Sequence, residues 1–487
     1  MATVKEVVKT FTKGISASKV SLIGAVMTTV TFPVLVATAI FDLQGLVGNP
    51  YFGFFTYMIL GPMFITGLVL VFLGLFFFKG KEEIEFFTFD YLKKQFSAPS
   101  RFVRFRKMVV LVSFLTVINV FVVSLVAYNG YHFTESPTFC GKLCHSVMTP
   151  EYTAYQNSPH SRVPCVECHI GAGATWFVKS KISGMKQLYA VAFNTYERPI
   201  ETPVLSLRPA RATCEECHRP ELFQGDKLLV KNKFLPDEKN THVQTVLLMK
   251  VGSGGFRGQK AQGIHWHVAP GNEITYKHAD RERQDITEVT LKKEDGTDVV
   301  FKGGNDASEA KEGDNQGSTR VMDCIDCHNR PTHIYLPPGE ALDQKLLTGK
   351  IPTELPFIKR QALQAVTREY DTKEKAKNGI ATELTDWYKK NYPDLVEKKP
   401  SLLTQAISGA QEAYAENVFP AMHIGWNTYK NNIGHDGENF TGGCARCHDG
   451  SHESASGETI PMDCNTCHVI LAEEQPHPEI LKTLNGM

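Results

Sequence analysis

Six times in this 487-residue chain a cysteine pair is followed at once by histidine, and the six pairs use all twelve cysteines. Five have the spacing C-x-x-C-H: Cys165/Cys168/His169, Cys214/Cys217/His218, Cys324/Cys327/His328, Cys444/Cys447/His448 and Cys464/Cys467/His468. The first in the chain is longer by one residue, Cys140-Gly-Lys-Leu-Cys144-His145. In C-x-x-C-H two thioethers hold a porphyrin and the histidine ligates its iron, the attachment site of a c-type haem. A zinc site has no need of histidine directly after the second cysteine, and no cysteine is left over to complete a four-cysteine set. The motifs therefore predict six covalently bound haem c groups with iron. A disulfide or a vacant site is the alternative at the stretched motif. Such a protein carries electrons.

Each iron needs a second axial ligand, and histidine is the usual choice at low potential. Eleven histidines lie outside the motifs, so supply exceeds demand and position must discriminate. His160 lies five residues before Cys165, His333 five after His328, and His452 four after His448; His435 precedes Cys444 in Gly-His-Asp-Gly. These four are expected as iron ligands. His265 and His267 flank Trp266 in an apolar Gly-Ile-His-Trp-His-Val segment. One of the two is expected to reach an iron, with simple packing around Trp266 as the alternative. His242, His278 and His477 read as solvated.

These groups must be positioned by something. Net charge is zero, which gives no argument for nucleic acid as a partner. Hydrophobicity is concentrated at the N-terminus. Val20–Phe41, Phe52–Phe78 and Met108–Tyr128 contain no Asp, Glu, Lys or Arg, and each is long enough to cross the ~30 Å of bilayer hydrocarbon. Basic residues set the orientation. Lys5, Lys9, Lys13 and Lys19 precede the first run, and Lys79, Lys81, Lys93, Lys94, Arg101, Arg104, Arg106 and Lys107 lie between the second and third. The positive-inside rule then puts the N-terminus in the cytoplasm and everything after Tyr128 outside. Covalent haem c belongs on that outer face, so the expected location is a bacterial inner membrane with the haem domain in the periplasm.

The expected fold is a three-helix membrane anchor plus a loop-rich, mainly α multihaem cytochrome c domain with a small β-rich insert. Residues 1–130 form the anchor, 131–335 a tetrahaem region including an insert at 219–320, and 336–487 a helical segment with a C-terminal dihaem region. Thr241–Val251 is apolar and β-rich, and Asp285–Lys302 reads as a hairpin turning at Asp295-Gly296. Gly252–Gly258 and Gly303–Gly317 read as loops. Lys359–Lys377 and Leu402–Glu416 show apolar residues at helix spacing.

The arrangement of His160, Cys165–His169, Cys214–His218 and Cys324-x-x-Cys-His-x₄-His333 resembles the NapC/NirT family of membrane-anchored multihaem cytochromes, which oxidise quinol and feed periplasmic acceptors. The resemblance covers about Phe133–Tyr335. It implies crossed ligation, with His160 on the haem of Cys324/Cys327 and His333 on the haem of Cys165/Cys168. It also implies a first haem against the membrane, where Met148 could replace His145 on iron. A quinol site is implied on Gly171–Asn194, with Lys179, Lys181, Lys186 and Gln187. By its residues alone that stretch is an amphipathic helix lying on a membrane, anchored by Trp176 and Tyr189, its lysines contacting headgroups. The family usually has one span and four haems. The layout of three spans and six haems is similar to the inner-membrane NapC/NirT-type cytochromes of metal-reducing bacteria.

The expected function is menaquinol:cytochrome oxidoreduction. The membrane quinone pool would be the donor and a soluble periplasmic c-type cytochrome or reductase the acceptor, with an oligomer or partner subunit held through the membrane helices. The alternatives are an electron-relay subunit without its own quinol site, and a periplasm-facing terminal reductase.

Overall fold

A computed structural model describes residues 15, 18–44, 50–77, 96–97, 99–143, 145–171, 173–204, 207–219, 222–223, 225–252, 260–269, 271–293, 295–303, 319–436 and 439–485. The chain divides into two compact units, Met1–His145 and Ser146–Met487.

The first unit contains three helices long and apolar enough to cross a membrane. Helix α1 spans Lys19–Leu43. Helix α2 is built of abutting segments, Pro50–Gly53, a π-helical Phe54–Leu60 and Gly61–Phe76. Helix α3 runs over Pro99–Thr134. Small residues let α1 and α2 approach backbone to backbone: a Cβ on Gly74 would sit 2.2 Å from Ser21 Oγ, and one on Gly24 2.6 Å from the Gly67 carbonyl oxygen. Ser21 Oγ donates to the Val71 carbonyl at 3.2 Å, adding an interhelical hydrogen bond. Leu35, Leu60, Phe64, Val122 and Val126 form the apolar centre. Lys5, Lys9, Lys13, Lys79, Lys81, Lys93 and Lys94 lie outside the described residues.

The second unit begins with α4 (His145–Gln156), α5 (Cys165–His169), α6 (Ala174–Ala192) and α7 (Ala210–Cys214). Two antiparallel sheets follow. Strands β1 (Lys227–Phe234) and β2 (His242–Met249) pair as a hairpin joined by residues 235–241. Strands β3 (Glu273–His278), β4 (Ile286–Lys292) and β5 (Asp298–Lys302) form a meander, and β6 (Arg320–Val321) pairs with β3. The expected hairpin is present: Gly296 takes φ +83° and Lys293 N–H donates to the Thr297 carbonyl at 2.8 Å. In β3 the buried Ile274, Tyr276 and His278 alternate with less buried neighbours, the period of a half-buried strand. Most of both expected glycine-rich loops, at 253–259 and 304–318, lies outside the described residues.

After the short helix α8 (Cys324–Cys327) comes a helical region of α9 (Pro338–Leu347), α10 (Ile358–Val366), α11 (Lys373–Asn391), α12 (Pro393–Lys398) and α13 (Pro400–Asn417). The periodicity over Lys359–Lys377 reads as one helix, but it is two. α10 stops at Val366, and Thr372 caps α11 by accepting a hydrogen bond from the Lys375 N–H at 3.1 Å. Proline at the first position of α9, α12 and α13 fixes each start, because its missing N–H has no helical partner there anyway. Ile351, Leu355, Ile358, Ala365, Ile380, Leu384 and Tyr388 are fully buried in the core these helices enclose.

The C-terminal strands return to the insert. β7 (Glu453–Ser454) pairs with β5, and β8 (His468–Gln475) pairs with β2, giving strand orders β1-β2-β8 and β6-β3-β4-β5-β7. A short helix α14 (Glu479–Asn485) ends the described chain. The insert is thus built into the unit, and both sheets are completed by residues next to the last two cysteine motifs.

Candidate haem-binding site

The motif cysteines sit on minimal helical turns. Cys165–His169 and Cys324–Cys327 are single short helices, whereas Cys444–Arg446 and Cys464–Thr466 lie in 3₁₀ turns. A C-x-x-C pair on one helical turn places both sulfurs on one side, with the histidine just beyond. At Cys324 the turn starts in a reciprocal capping box: Asp323 Oδ1 accepts from the Cys324 N–H at 2.7 Å, and Asp326 Oδ2 accepts from the Asp323 N–H at 2.7 Å.

The second cysteine of three motifs, Cys217, Cys447 and Cys467, lies just beyond its turn. Helix α7 ends at Cys214, so Cys217 is not on the helix with its partner but in the turn beyond it. Its N–H donates to the Cys214 carbonyl at 3.2 Å, and the His218 N–H donates to the same oxygen at 2.8 Å. That shared acceptor keeps Cys217 and His218 close to Cys214, although the helix does not reach them. Cys217 is also exposed, as Cys168 and Cys464 are, whereas Cys214 is half-buried.

Five motifs belong to the second unit, and their thiols are neighbours in chain order. Burial raises the Cys168 thiol, and Cys214 raises it further. Cys324 donates a hydrogen bond to Cys214, which holds the Cys214 thiol low and drives that of Cys324 far up. Burial and then Cys444 push Cys327 up to about 11, while Cys467 is raised by burial and again by Cys444.

Four motif histidines face a second histidine ring across nearly one distance. His169 and His333 have centroids 6.2 Å apart, His218 and His160 5.9 Å, His448 and His267 5.8 Å, and His468 and His435 6.3 Å. Metal–imidazole bonds of about 2 Å on either side of an ion put two axial rings about 6 Å apart, so these spacings fit a haem iron between each pair. The fifth motif histidine, His328, is exposed overall; partial desolvation of its ring, then the nearby His265 and His218, lower its pKa. Desolvation of the ring and then the neighbouring His333 lower the His169 pKa to about 4, favouring the neutral form in which imidazole binds iron. The buried His468 Nδ1 has no protein partner, consistent with a pocket completed by a non-protein group.

The distal histidines share a second feature. Nδ1 of His160 contacts the Pro331 carbonyl at 3.2 Å, His265 that of Val251 at 3.2 Å and His267 that of Ile264 at 2.8 Å. His333 does the same at Glu151 (3.0 Å) and His435 at Asp436 (3.0 Å). A carbonyl on Nδ1 fixes the tautomer and turns Nε2 outward, the arrangement that orients metal-binding histidine.

Three expectations about the histidines are corrected. His160 faces His218 of the Cys214/Cys217 motif, not the histidine of the Cys324/Cys327 motif, because the loop at Pro331 holds its ring there. His452 is 1% exposed with both ring nitrogens engaged, Nδ1 with Asp449 Oδ1 at 3.1 Å and Nε2 with the Ile286 carbonyl at 3.0 Å. It fastens the last motifs to β4 and has no nitrogen left for iron. His242 and His278 are not solvated: one stacks on Phe234 at 4.7 Å, and the other is buried with Nδ1 on the Asp280 carbonyl at 2.7 Å.

At the stretched motif, Cys140 lies in a π-helical turn, Phe139–Leu143, and Cys144 lies outside the described residues. Met148 on α4 packs against the cluster of Val147, Tyr335, Phe419 and Met422.

Helix α6 carries all four residues expected at a quinol site, but not on one face. Val178, Ile182, Met185 and Tyr189 form an exposed apolar stripe at i, i+4, i+7 and i+11. At about 100° per residue, Lys181 and Lys186 border this stripe on opposite sides, and Gln187 stands behind it. Lys179 Nζ lies 4.6 Å from the Trp176 ring centroid.

Charged residues inside two motifs escaped the sequence reading. Asp326, between Cys324 and Cys327, is 3% exposed; it accepts from the Tyr276 hydroxyl at 2.6 Å and pairs with Arg283 at 3.3 Å and Arg320 at 3.1 Å. Arg446, between Cys444 and Cys447, donates to the carbonyls of Asp326 at 2.5 Å and Arg283 at 2.6 Å. The available signal was a charge at the x-x positions of each motif.

Residues 103–202 match the NapC/NirT cytochrome c family, N-terminal region. The chain is 39% identical to "Cytochrome c-type protein ImcH" of Geobacter sulfurreducens over 465 residues, 95% of this chain and 90% of that protein. It is 28% identical to "Cytochrome c-type protein NrfH" of Wolinella succinogenes over 111 residues, 22% of this chain and 62% of that one. No solved structure matches. Matched to a relative along almost its whole length, the chain belongs to the NapC/NirT cytochrome c family, as a membrane-anchored multihaem protein of electron transport with covalently bound haem c.

Proposed function

We propose that the chain is a menaquinol dehydrogenase of the bacterial inner membrane that binds six haem c groups and delivers electrons to a soluble periplasmic cytochrome or reductase. Residues 1–130 would anchor it with the N-terminus in the cytoplasm. Residues 131–335 would form the tetrahaem region around the insert at 219–320, and 336–487 the helical segment and C-terminal dihaem region. The single observation that carries the reading is the file of neighbouring cysteine motifs that begins just before α6 and continues to the C-terminal strands.

Haem c, when bound, supplies one-electron chemistry at an iron held by two axial ligands. The chain's own residues do the rest. Twelve cysteines fix the porphyrins, the surface-exposed Cys217 among them. His145 or Met148 serves the first iron; His169 with His333, His218 with His160 and His468 with His435 serve three others. The apolar stripe of α6 lies in the lipid interface, where Trp176 and Tyr189 suit the headgroup boundary. Lys181, at the edge of the stripe, or a neighbour, Lys186 across the stripe or Lys179, donates to the quinol oxygen and assists release of its proton to water on the outer side. Gln187, behind the stripe, donates within the helix to Ser183 Oγ at 3.5 Å.

The test uses the whole protein in mild detergent, with a reduced menaquinol analogue and stopped-flow haem absorbance. Rapid reduction that disappears in Lys181→Ala, while dithionite still reduces all haems, is the expected result. Reduction by dithionite but never by quinol would make the protein a relay subunit fed by a partner.

A further inference from the structure

His333, the ring facing His169, differs from the other tethered histidines in what its Nδ1 meets. The contacts at His160, His265, His267, His278, His423 and His435 are to backbone carbonyls. At His333 one residue of α4 supplies two acceptors: Nδ1 lies 3.0 Å from the Glu151 carbonyl oxygen and 3.0 Å from its carboxylate Oε2. Both oxygens can only accept, so the ring proton sits on Nδ1 and is shared between them. That leaves Nε2 for an iron between His333 and His169, whose centroids are 6.2 Å apart. His452 is the contrast. Its Nδ1 also meets a carboxylate, Asp449 at 3.1 Å, but its Nε2 is taken by the Ile286 carbonyl, so that carboxylate has no iron to act on.

The surroundings strengthen the contact at His333. The Glu151 side chain is only 16% exposed. Val147 and Ala154, on the same helix, pack in one apolar cluster with Tyr335 and Tyr429. Where water is scarce, a hydrogen bond to a charged acceptor is stronger than one to a neutral carbonyl. The buried Arg330 stands beside the pair: its guanidinium lies 3.8 Å from the Tyr429 ring centroid, and its Nη1 donates to the His333 carbonyl at 3.1 Å. The same Nη1 is 4.0 Å from Glu151 Oε2, beyond hydrogen-bond distance. Its positive charge therefore offsets part of the Glu151 field without competing for the short contact to His333.

We infer that Glu151 is a positioning residue that acts through His333: its carboxylate draws on the Nδ1 proton, makes Nε2 a stronger donor to iron, and holds the haem of Cys165/Cys168/His169 at a lower potential than a carbonyl tether alone would. A more basic ligand and a nearby negative charge both favour ferric iron. This haem then passes its electron more readily to the neighbouring site at Cys214/Cys217/His218, whose distal His160 is tethered by a carbonyl. The inference rests on the proposal that facing histidines hold haem iron, and it names the residue that tunes one such pair.

The test is a spectroelectrochemical titration of the haem-loaded, full-length protein. Glu151→Gln keeps the side-chain shape and a neutral acceptor. It should shift the reduction equilibrium of one haem upward by about tenfold, about 59 mV for one electron, and leave the other waves in place. Glu167→Gln removes an exposed carboxylate between Cys165 and Cys168, and should shift the wave by less than about threefold because water screens that charge. Equal shifts in the two variants would overturn the inference, since charge alone would then account for both. In a His333→Met background, which has no ring N–H, Glu151→Gln should do no more than Glu167→Gln; a full shift there would also overturn it. Should Glu151→Gln not accumulate, Arg330→Gln removes the opposing charge and should move the same wave down; an upward or absent shift would count against Glu151. If His333→Met gives one haem the thioether-to-iron charge-transfer absorption but Glu151→Gln moves no wave, only the role of Glu151 fails. If His333→Met leaves every haem spectrum unchanged, the facing-ring proposal beneath it fails.

Discussion

Two parts of the second unit stabilise themselves in opposite ways. The helical region of α9–α13 encloses its own apolar core, with Ile380, Leu384 and Tyr388 fully buried and a buried Lys359–Asp343 pair at 2.5 Å beside it. The motif-bearing segments have turns of four or five residues, half-exposed cysteines and histidine rings separated by about the width of an iron site. In the first part side chains fill the interior. In the second the protein supplies attachment points, caps and ligands, and leaves the interior to a group that the amino acids do not provide. A region whose core is its own folds without a cofactor, and one that reserves its core for a cofactor does not.

The largest effect should come from withholding haem. In cells unable to attach it, α9–α13 should retain amide protection while α5, α7, α8 and both sheets lose theirs, as followed by hydrogen exchange. Equal loss in both would mean that the helical core depends on the haem region after all. Leu384→Ala should act in the reverse direction, costing the helices about 3 kcal/mol through a cavity in a core that cannot collapse onto it. Far-ultraviolet circular dichroism should show the lower midpoint, and the haem absorbance should be unchanged under native conditions. Asp326→Asn should weaken the haem side by about 2 kcal/mol, since Arg283 and Arg320 lose the charge they share. Here the haem band should melt earlier than the helical signal.

The smallest effect concerns Lys373 of α11, whose Nζ lies 3.6 Å from the Phe419 ring and donates to the Ala415 carbonyl at 2.8 Å. Burial lowers its pKa to about 8, below the ordinary lysine value of 10.5. The folded state therefore binds this proton less tightly than the unfolded state. The cost is present in full below about pH 8 and is relieved as pH rises from there toward 10.5. Helical-region stability should rise over that window, and Lys373→Met should flatten the rise. An unchanged slope in the variant would assign the pH dependence to other groups.

Legibility in the sequence followed range. The β4–β5 hairpin was readable from Asp295-Gly296, and α13 from its apolar spacing, because turn chemistry and helix periodicity act over a few residues. The two short strands β6 and β7 and the last strand β8 gave no such signal, since what makes them strands is pairing with residues far away in the chain. His452 shows the same limit from the other side. Its spacing after His448 suggests an iron ligand, and only the approach of β4 occupies its second nitrogen. Cys217 shows it too, for five motifs of identical spacing do not share one local structure, and α7 stops short of this cysteine.

By itself the sequence determined the cofactor class and the three membrane-length helices, and it located the cysteine–histidine motifs. Covalent attachment and bilayer crossing are demands on contiguous residues, so contiguous residues record them. The tertiary structure alone decided that His160 faces His218 and that Arg446 and Asp326 join two motifs. Each of these depends on bringing distant segments within a few ångströms. That closure is set by the packing of sheets and loops around the motifs, which no local spacing encodes.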